Sequence, residues 1–158
     1  MAREVIATSL LIIASVIAVV ALINAILPSI SGLSHSYTTV AQDMENQVKT
    51  DVDIIFITTQ DNNVSMWLKN VGYNQISLSS VKFSDIFISS SSNNWYPGYN
   101  STSNPTWNYT MENGNGDIWD SGETIKITVG LDDLPSDTYR VKFILYNGVS
   151  ATDIFSKG

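Results

Sequence analysis

VIATSLLIIASVIAVVALINAIL, residues Val5 to Leu27, carries no charged side chain, and only Thr8, Ser9, Ser15 and Asn24 interrupt it with polar groups. Twenty-three residues of α-helix rise about 35 Å, enough to cross a hydrocarbon core of about 30 Å. The hydroxyls are small enough to bond within their own helix, so none costs what a buried charge would. A core helix of a soluble domain would be shorter and would show a polar face. A cleaved secretory signal has an apolar region of roughly 7–15 residues followed by a small-residue cleavage site. Here the run is longer, and Pro28-Ser29-Ile30-Ser31 follows it. The stretch therefore reads as a retained helix, destined for a membrane or for the core of a filament. Ala14, Ala18, Ala21 and Ala25 are small residues suited to close helix packing in either setting.

Helical patterning continues past Pro28, which can kink a helix or start its next segment. Ile30, Leu33, Tyr37, Val40, Met44 and Val48 recur at steps of three and four between Ser, Thr, Gln, Asp and Glu. This is a narrow apolar seam with a period near 3.5 residues. Gly32 and the β-branched residues weaken its intrinsic helicity, so a supporting surface is expected. That surface is either a partner or the chain's own globular domain. His35 lies off the seam and reads as a solvated surface residue.

At Asp51 the period changes to two. DVDIIFITTQ (51–60) alternates, Asp61-Asn62-Asn63 supplies a turn, and VSMWLKNVG (64–72) alternates again. ISLSSVKFSDIFIS (76–89) reads as two short strands with a bend at Ser84-Asp85. Residues 89–117 read as a low-complexity loop. ETIKITVG (123–130) and TYRVKFILY (138–146) are strands, and Asn147-Gly148 signals a two-residue hairpin back through VSATDIF. Seven or so short strands, with no helix after about residue 50, predict an immunoglobulin-like antiparallel β-sandwich. The expected organisation is α+β: an apolar helix with an amphipathic extension over 1–50, then an all-β domain over 51–158.

Charge narrows the function. The chain has 8 Lys and Arg against 15 Asp and Glu, and all the imbalance lies after Pro28. Such an acidic domain, without a basic cluster, repels phosphate backbones, so no nucleic-acid partner is expected. Arg3 precedes the apolar run and the next basic residue is Lys49, which favours the N-terminus inside and the C-terminal domain outside. The absence of cysteine excludes disulfides and thiolate chemistry. With one histidine and no hydrolase, zincin, phosphate-loop or dinucleotide motif, neither catalysis nor a small-molecule substrate or cofactor is expected.

Three local patterns remain. Asn113, Asn115 and Asp117 place oxygen ligands at alternate positions, as a calcium loop does, but Ile118 stands where the EF-hand glycine belongs and Glu123 comes one position early. A hairpin loop gives the same letters, and a metal site is not the preferred reading. Asn63, Asn100 and Asn108 each open an N-x-Ser/Thr sequon, a candidate for glycosylation. Trp95, Tyr96, Tyr99 and Trp107 are aromatics spaced through Ser, Asn and Gly, a composition that offers contact area and adaptable hydrogen bonding to a protein or glycan. Trp107 and Trp119 could instead fold back onto the sandwich core.

MAREVIATSLLIIASVIAVVALINAI, followed by TDVDIIF and WLKNVGYNQISL, resembles the archaeal type IV pilin-like proteins. Within that group it is similar to the archaellum (archaeal flagellum) accessory proteins of the F and G type. Like them, it lacks the Lys/Arg-Gly processing site found before the mature helix of archaellins. The resemblance implies a structural protein of the cell envelope, anchored by its helix in the cytoplasmic membrane. Its β-domain would then lie below the surface layer and contact a sister accessory protein or the surface-layer protein, in a stator-like role. The residues leave two alternatives open: a filament subunit polymerising with neighbouring copies through its N-terminal helix, or an envelope domain that holds glycan in its aromatic loop. Homo-oligomerisation is expected on either of the first two readings.

Overall fold

A computed structural model describes residues 2–114 and 116–158. Helix α1 runs from Ala2 to Lys49 with Pro28 in its interior, and none of its residues is buried. The seam residues Ile30, Leu33, Tyr37, Val40 and Met44 are each more than half exposed. The chain divides into two compact units between Met44 and Glu45, six residues before the expected boundary.

The second unit begins with that last helical turn. Lys49 O accepts hydrogen bonds from the N–H groups of Tyr73 (2.8 Å) and Asn74 (3.1 Å), and Gln47 Nε2 donates to Asn147 O at 2.8 Å. Carbonyls that a helix end leaves unpaired are thus met by the segment 70–74. Asn70 is fully buried: its amide donates to Asn74 O and Trp119 O, and its Oδ1 accepts from Gly72 N–H. A Cβ on Gly72 would lie 2.4 Å from Asp51 N and 2.6 Å from Lys49 O, so this close approach of two backbones requires glycine.

Strands β1 (Val52–Gln60) and β2 (Asn63–Asn70) form an antiparallel hairpin around Asp61-Asn62, with Asp61 at φ 51°. Next come β3 (Ile76–Ser77), the one-turn helix α2 (Leu78–Val81), β4 (Asp85–Ser89), β5 (Asn94–Trp95) and β6 (Gly98–Tyr99). They are followed by β7 (Thr106–Asn113), β8 (Ile118–Trp119), β9 (Thr124–Gly130), β10 (Thr138–Ile144) and β11 (Ser150–Ser156). One sheet has the order β1-β2-β9-β7-β6 and the other β11-β10-β4-β5, while β3 and β8 pair by themselves. Without the two short edge strands this is the four-plus-three arrangement of an immunoglobulin constant-type sandwich. Val64, Met66, Leu68, Ile125, Ile127 and Val129 from the first sheet share one core with Ile86, Ile88, Tyr139, Val141 and Phe143 from the second. Tyr139, at the start of β10, donates its hydroxyl hydrogen bond to Pro135 O at 2.6 Å, the tyrosine corner of such folds. Burial, with Asp137 and Asp133 nearby, raises its pKa above the ordinary tyrosine value.

Three local expectations are corrected. Residues 76–89 hold a short strand, one helical turn and a second strand rather than two strands. Leu78 and Val81, three apart, turn inward together, which is helical spacing. Residues 89–117 are not one loop. They include β7, an eight-residue strand inside the larger sheet, whose Trp107, Tyr109 and Met111 alternate toward the core. The connection from β10 to β11 is Leu145–Val149 rather than two residues, with Leu145 buried and Gly148 at φ 87°.

Candidate anchoring and partner surfaces

The outer surface of α1 is apolar from Val5 to Leu27, and its mean hydropathy peaks at 3.0 over an 18-residue window. The hydroxyls expected to bond within the helix do so: Ser9 donates to Val5 O (2.8 Å) and Ser15 to Ile12 O (2.8 Å), while Thr8 bonds to Glu4 O. Each therefore satisfies its donor without water, as a lipid or packed-helix environment requires. Ala14, Ala18, Ala21 and Ala25 follow steps of four, three and four along one side of the exposed helix.

In the β-domain, the aromatic segment does not make one surface. Trp95 and Tyr96 lie at the edge of the four-stranded sheet, whereas Tyr99 and Trp107 belong to the other. Trp95 is half-buried, with its ring 5.8 Å from that of Tyr139. Trp107, expected as a contact residue, is 1% exposed and belongs to the core; Trp119 is buried as well. The reason lies in the register of β7, which pairs Trp107 with the inward-facing Val129 of β9. Tyr99 is 39% exposed and packs its ring edge-on against Trp107 at 4.9 Å. Tyr109 donates to Leu78 O at 2.6 Å, and burial, with Tyr99 beside it, raises its pKa.

Tyr96 is the most exposed of the four candidates, at 58%. It stacks on Phe87 with centroids 4.9 Å apart, and its hydroxyl donates to the Asp85 carboxylate, which raises its pKa. Phe87 in β4 stands beside Lys142 in β10, and Arg140 stands beside Ile154 in β11. The outward face of the four-stranded sheet thus alternates apolar and basic side chains on an otherwise acidic domain. Sequence reasoning missed this face because Phe87 and Ile154 looked like ordinary strand residues. Their offset from the inward positions Ile86, Ile88 and Phe155 was the available signal. The larger sheet carries a second row, in which Phe56 packs on Trp67 at 5.3 Å and Lys126 Nζ lies 4.9 Å over the Trp67 ring.

The sequon asparagines are all exposed and lie in or next to strands of the larger sheet. Asn63 opens β2 and Asn108 points outward from β7. Asn100, at φ 48°, follows β6 and donates its N–H to Trp107 O at 2.8 Å. In the calcium-like segment, Asn113 Oδ1 accepts the Thr124 N–H at 2.6 Å, and Glu123 Oε2 accepts the Asp120 N–H at 2.8 Å. Asp117 is exposed, and its carbonyl accepts the Leu78 N–H. Asn115 lies outside the described residues. The groups that are described close a hairpin.

These features can be set beside known proteins. A protein-family model for archaeal-type flagellin matches residues 2–155. An uncharacterized protein of Archaeoglobus fulgidus is 43% identical over 164 residues, spanning 99% of both chains. Among solved structures, the archaellum periplasmic stator protein FlaG of Sulfolobus acidocaldarius is similar at 28% identity and a TM-score of 0.58. That match covers 67% of this chain and 99% of FlaG. The periplasmic stator complex of FlaF and FlaG from the same organism matches with the same TM-score, over 89% of the matched chain. A family match along nearly the whole chain, joined to a sandwich of this strand order behind a helix with an uncharged apolar run, gives the assignment: the chain belongs to the archaeal-type flagellin family.

Proposed function

We propose that this protein is a non-catalytic, membrane-anchored structural component of the archaellum envelope complex, with a stator-like role. The observation that carries the reading is the likeness of this chain to FlaG over nearly all of that protein, in a chain whose sandwich follows a helix with an uncharged, lipid-compatible run. On this reading α1 sits in the cytoplasmic membrane with Arg3 on the inner side, and the β-domain stands outside. There it meets a sister accessory protein, as FlaG meets FlaF, or the surface-layer protein. The alternating basic and apolar face around Phe87, Lys142, Arg140 and Ile154 suits a protein partner, where aromatic and Arg side chains are favoured. The glycan-binding alternative needs a continuous aromatic surface, and the division of Trp95, Tyr96, Tyr99 and Trp107 between two sheets disfavours it. Orientation is tested with a specific protease site inserted between Ser101 and Ser103, in an exposed turn. Intact cells stripped of their surface layer should be cut; cleavage confined to inverted vesicles would overturn the orientation.

The name of the matched family favours a second reading, in which α1 packs among copies of itself in a filament. Ala18→Leu separates the two. In lipid the change is nearly free, because Leu inserts at least as well as Ala. In a packed helical core it adds bulk that costs about 1–3 kcal/mol per subunit. The variant should reach the membrane in wild-type amounts. Filaments of the wild-type protein in electron micrographs, lost in Ala18→Leu, would establish the filament reading instead.

A further inference from the structure

The outward face of the four-stranded sheet ends in a cavity of about 270 Å³, bounded by Ser89, Ser90, Ser91, Thr138, Arg140 and Ile154. Strand register builds it. Arg140 of β10 stands between Ser89 of β4 and Ile154 of β11, and the turn after β4, closed by Ser90 N–H to Asn93 O at 2.8 Å, forms the rim. We propose that this cavity receives a Glu or Asp side chain from an acidic protein partner; the inference rests on the protein-partner reading of this face above.

Size and hydrogen bonding select that occupant. Small-molecule sites run from about 300 to 1,000 Å³. This cavity falls short of that range and suits a single anchoring side chain. Arg140 is a donor only, and its planar fork matches a carboxylate. Ser90 Oγ already accepts the N–H groups of Ser92 (3.3 Å) and Asn93 (3.2 Å), which leaves its hydroxyl hydrogen to donate. No carboxylate bounds the cavity. Asp137 stands outside it, where its carboxylate accepts the Thr138 N–H at 2.7 Å and the Ser91 hydroxyl at 3.5 Å.

Charge points the same way. The one salt bridge among the described residues joins Lys49 to Glu45, so Arg140 and Lys142 have no carboxylate partner, on a chain with 15 Asp and Glu against 8 Lys and Arg. Among the outward positions of β4 and β10 the one acid is Asp85, which accepts the Tyr96 hydroxyl. It lies four residues along β4 from Ser89, about 13 Å. Charges on a surface are largely screened beyond about 8 Å at physiological ionic strength. Two unpaired cations at successive outward positions, with Phe87 and Ile154 beside them, complement a surface that alternates acidic and apolar side chains.

The test uses the full chain in phosphatidylcholine nanodiscs and a rhodamine-labelled peptide, acetyl-GFELEFG-amide, beside its analogue with Gln in place of both Glu. Fluorescence anisotropy reads binding. The expected affinity is at least about tenfold higher for the Glu peptide, as a charged hydrogen-bonded pair provides, and falls as salt rises. Arg140→Gln should abolish that preference. Arg140→Lys should keep it at lower affinity, because the charge remains and the fork is lost. Lys126→Gln, on the other sheet, should leave binding unchanged. Equal binding of the two peptides, no binding of either, or a Glu preference that survives Arg140→Gln overturns the pocket and leaves the sheet face as a protein surface. Displacement of the Glu peptide by glucuronate at lower concentration than by N-acetylglutamate overturns the protein partner in favour of an acidic sugar. Orientation in the membrane, read by the inserted protease site, is independent of each of these results.

Discussion

Ile12 and Ile127 have the same side chain and opposite fates. Ile12, in the helix, is 62% exposed; Ile127, in β9, is fully buried. The difference runs through the whole molecule. No residue of α1 is buried, whereas the sandwich hides the inward half of each long strand in one core. The β-domain meets the requirement that apolar surface leave water by folding on itself. A single helix cannot fold on itself, and for its apolar run lipid or another copy would meet the requirement. A chain so divided should behave as two materials with one covalent link.

The largest test of that division is to separate the two. The fragment 45–158, which keeps the helical turn that caps onto Tyr73 and Asn74, should be a soluble folded domain with cooperative thermal unfolding. The full chain should sediment with membranes or require detergent. A full-length protein recovered as a soluble monomer without detergent would break the comparison, since the helix would then have to be covered by its own domain.

Within the β-domain, the same contrast recurs between aromatic residues twelve or fewer positions apart. Trp107→Ala opens the core and should cost the fragment about 3–5 kcal/mol of stability. Tyr96→Ala removes an exposed ring and should lie within about 0.5 kcal/mol of wild type, while weakening any partner that docks on the Phe87 face. Chemical denaturation of both variants distinguishes them. Equal losses would mean that the aromatic segment forms one unit after all.

A smaller effect is expected where helix and sandwich meet within the second unit. Gly72→Ala drives a methyl toward Asp51 N and Lys49 O, and backbone atoms yield less readily than side chains. The loss should be about 1–3 kcal/mol, measurable as a lower melting temperature of the 45–158 fragment. Vesicle flotation of the full-length variant should be unchanged, because the anchoring segment is untouched. A melting temperature equal to wild type would show that the 70–74 turn is looser than its hydrogen bonds imply.

Much of this architecture is local, and local physics is legible in sequence. Twenty-three uncharged residues satisfy their backbone groups only as a helix in an apolar setting, whatever follows them. DVDIIFITTQ and VSMWLKNVG declare strands through their alternation. Asp61-Asn62-Asn63 declares the turn between them, which the structure narrows to Asp61-Asn62 by giving Asn63 to β2, and Asp tolerates the positive φ that Asp61 adopts. WLKNVGYNQISL carried the family resemblance. The structure gives part of the reason: Asn70 and Gly72 within it close the turn against the end of the helix.

What remained hidden depended on neighbours distant in the chain. TWNYTMEN has the composition of a loop, and only pairing with β9 makes it a strand and sends Trp107 inward. Trp95 and Trp107 look equivalent as letters, yet strand order assigns them to different sheets. Leu78 to Val81 forms a helical turn because both apolar residues face one core, which no window of eight residues reveals. The exposed face of Phe87, Lys142, Arg140 and Ile154 comes from three strands and exists only after they pair. Sequence by itself determined the elements whose energetics close within a few residues, namely the apolar helix and the first hairpin. Tertiary structure alone decided which aromatic residues became core and which became surface, because burial is a property of pairing and not of a residue.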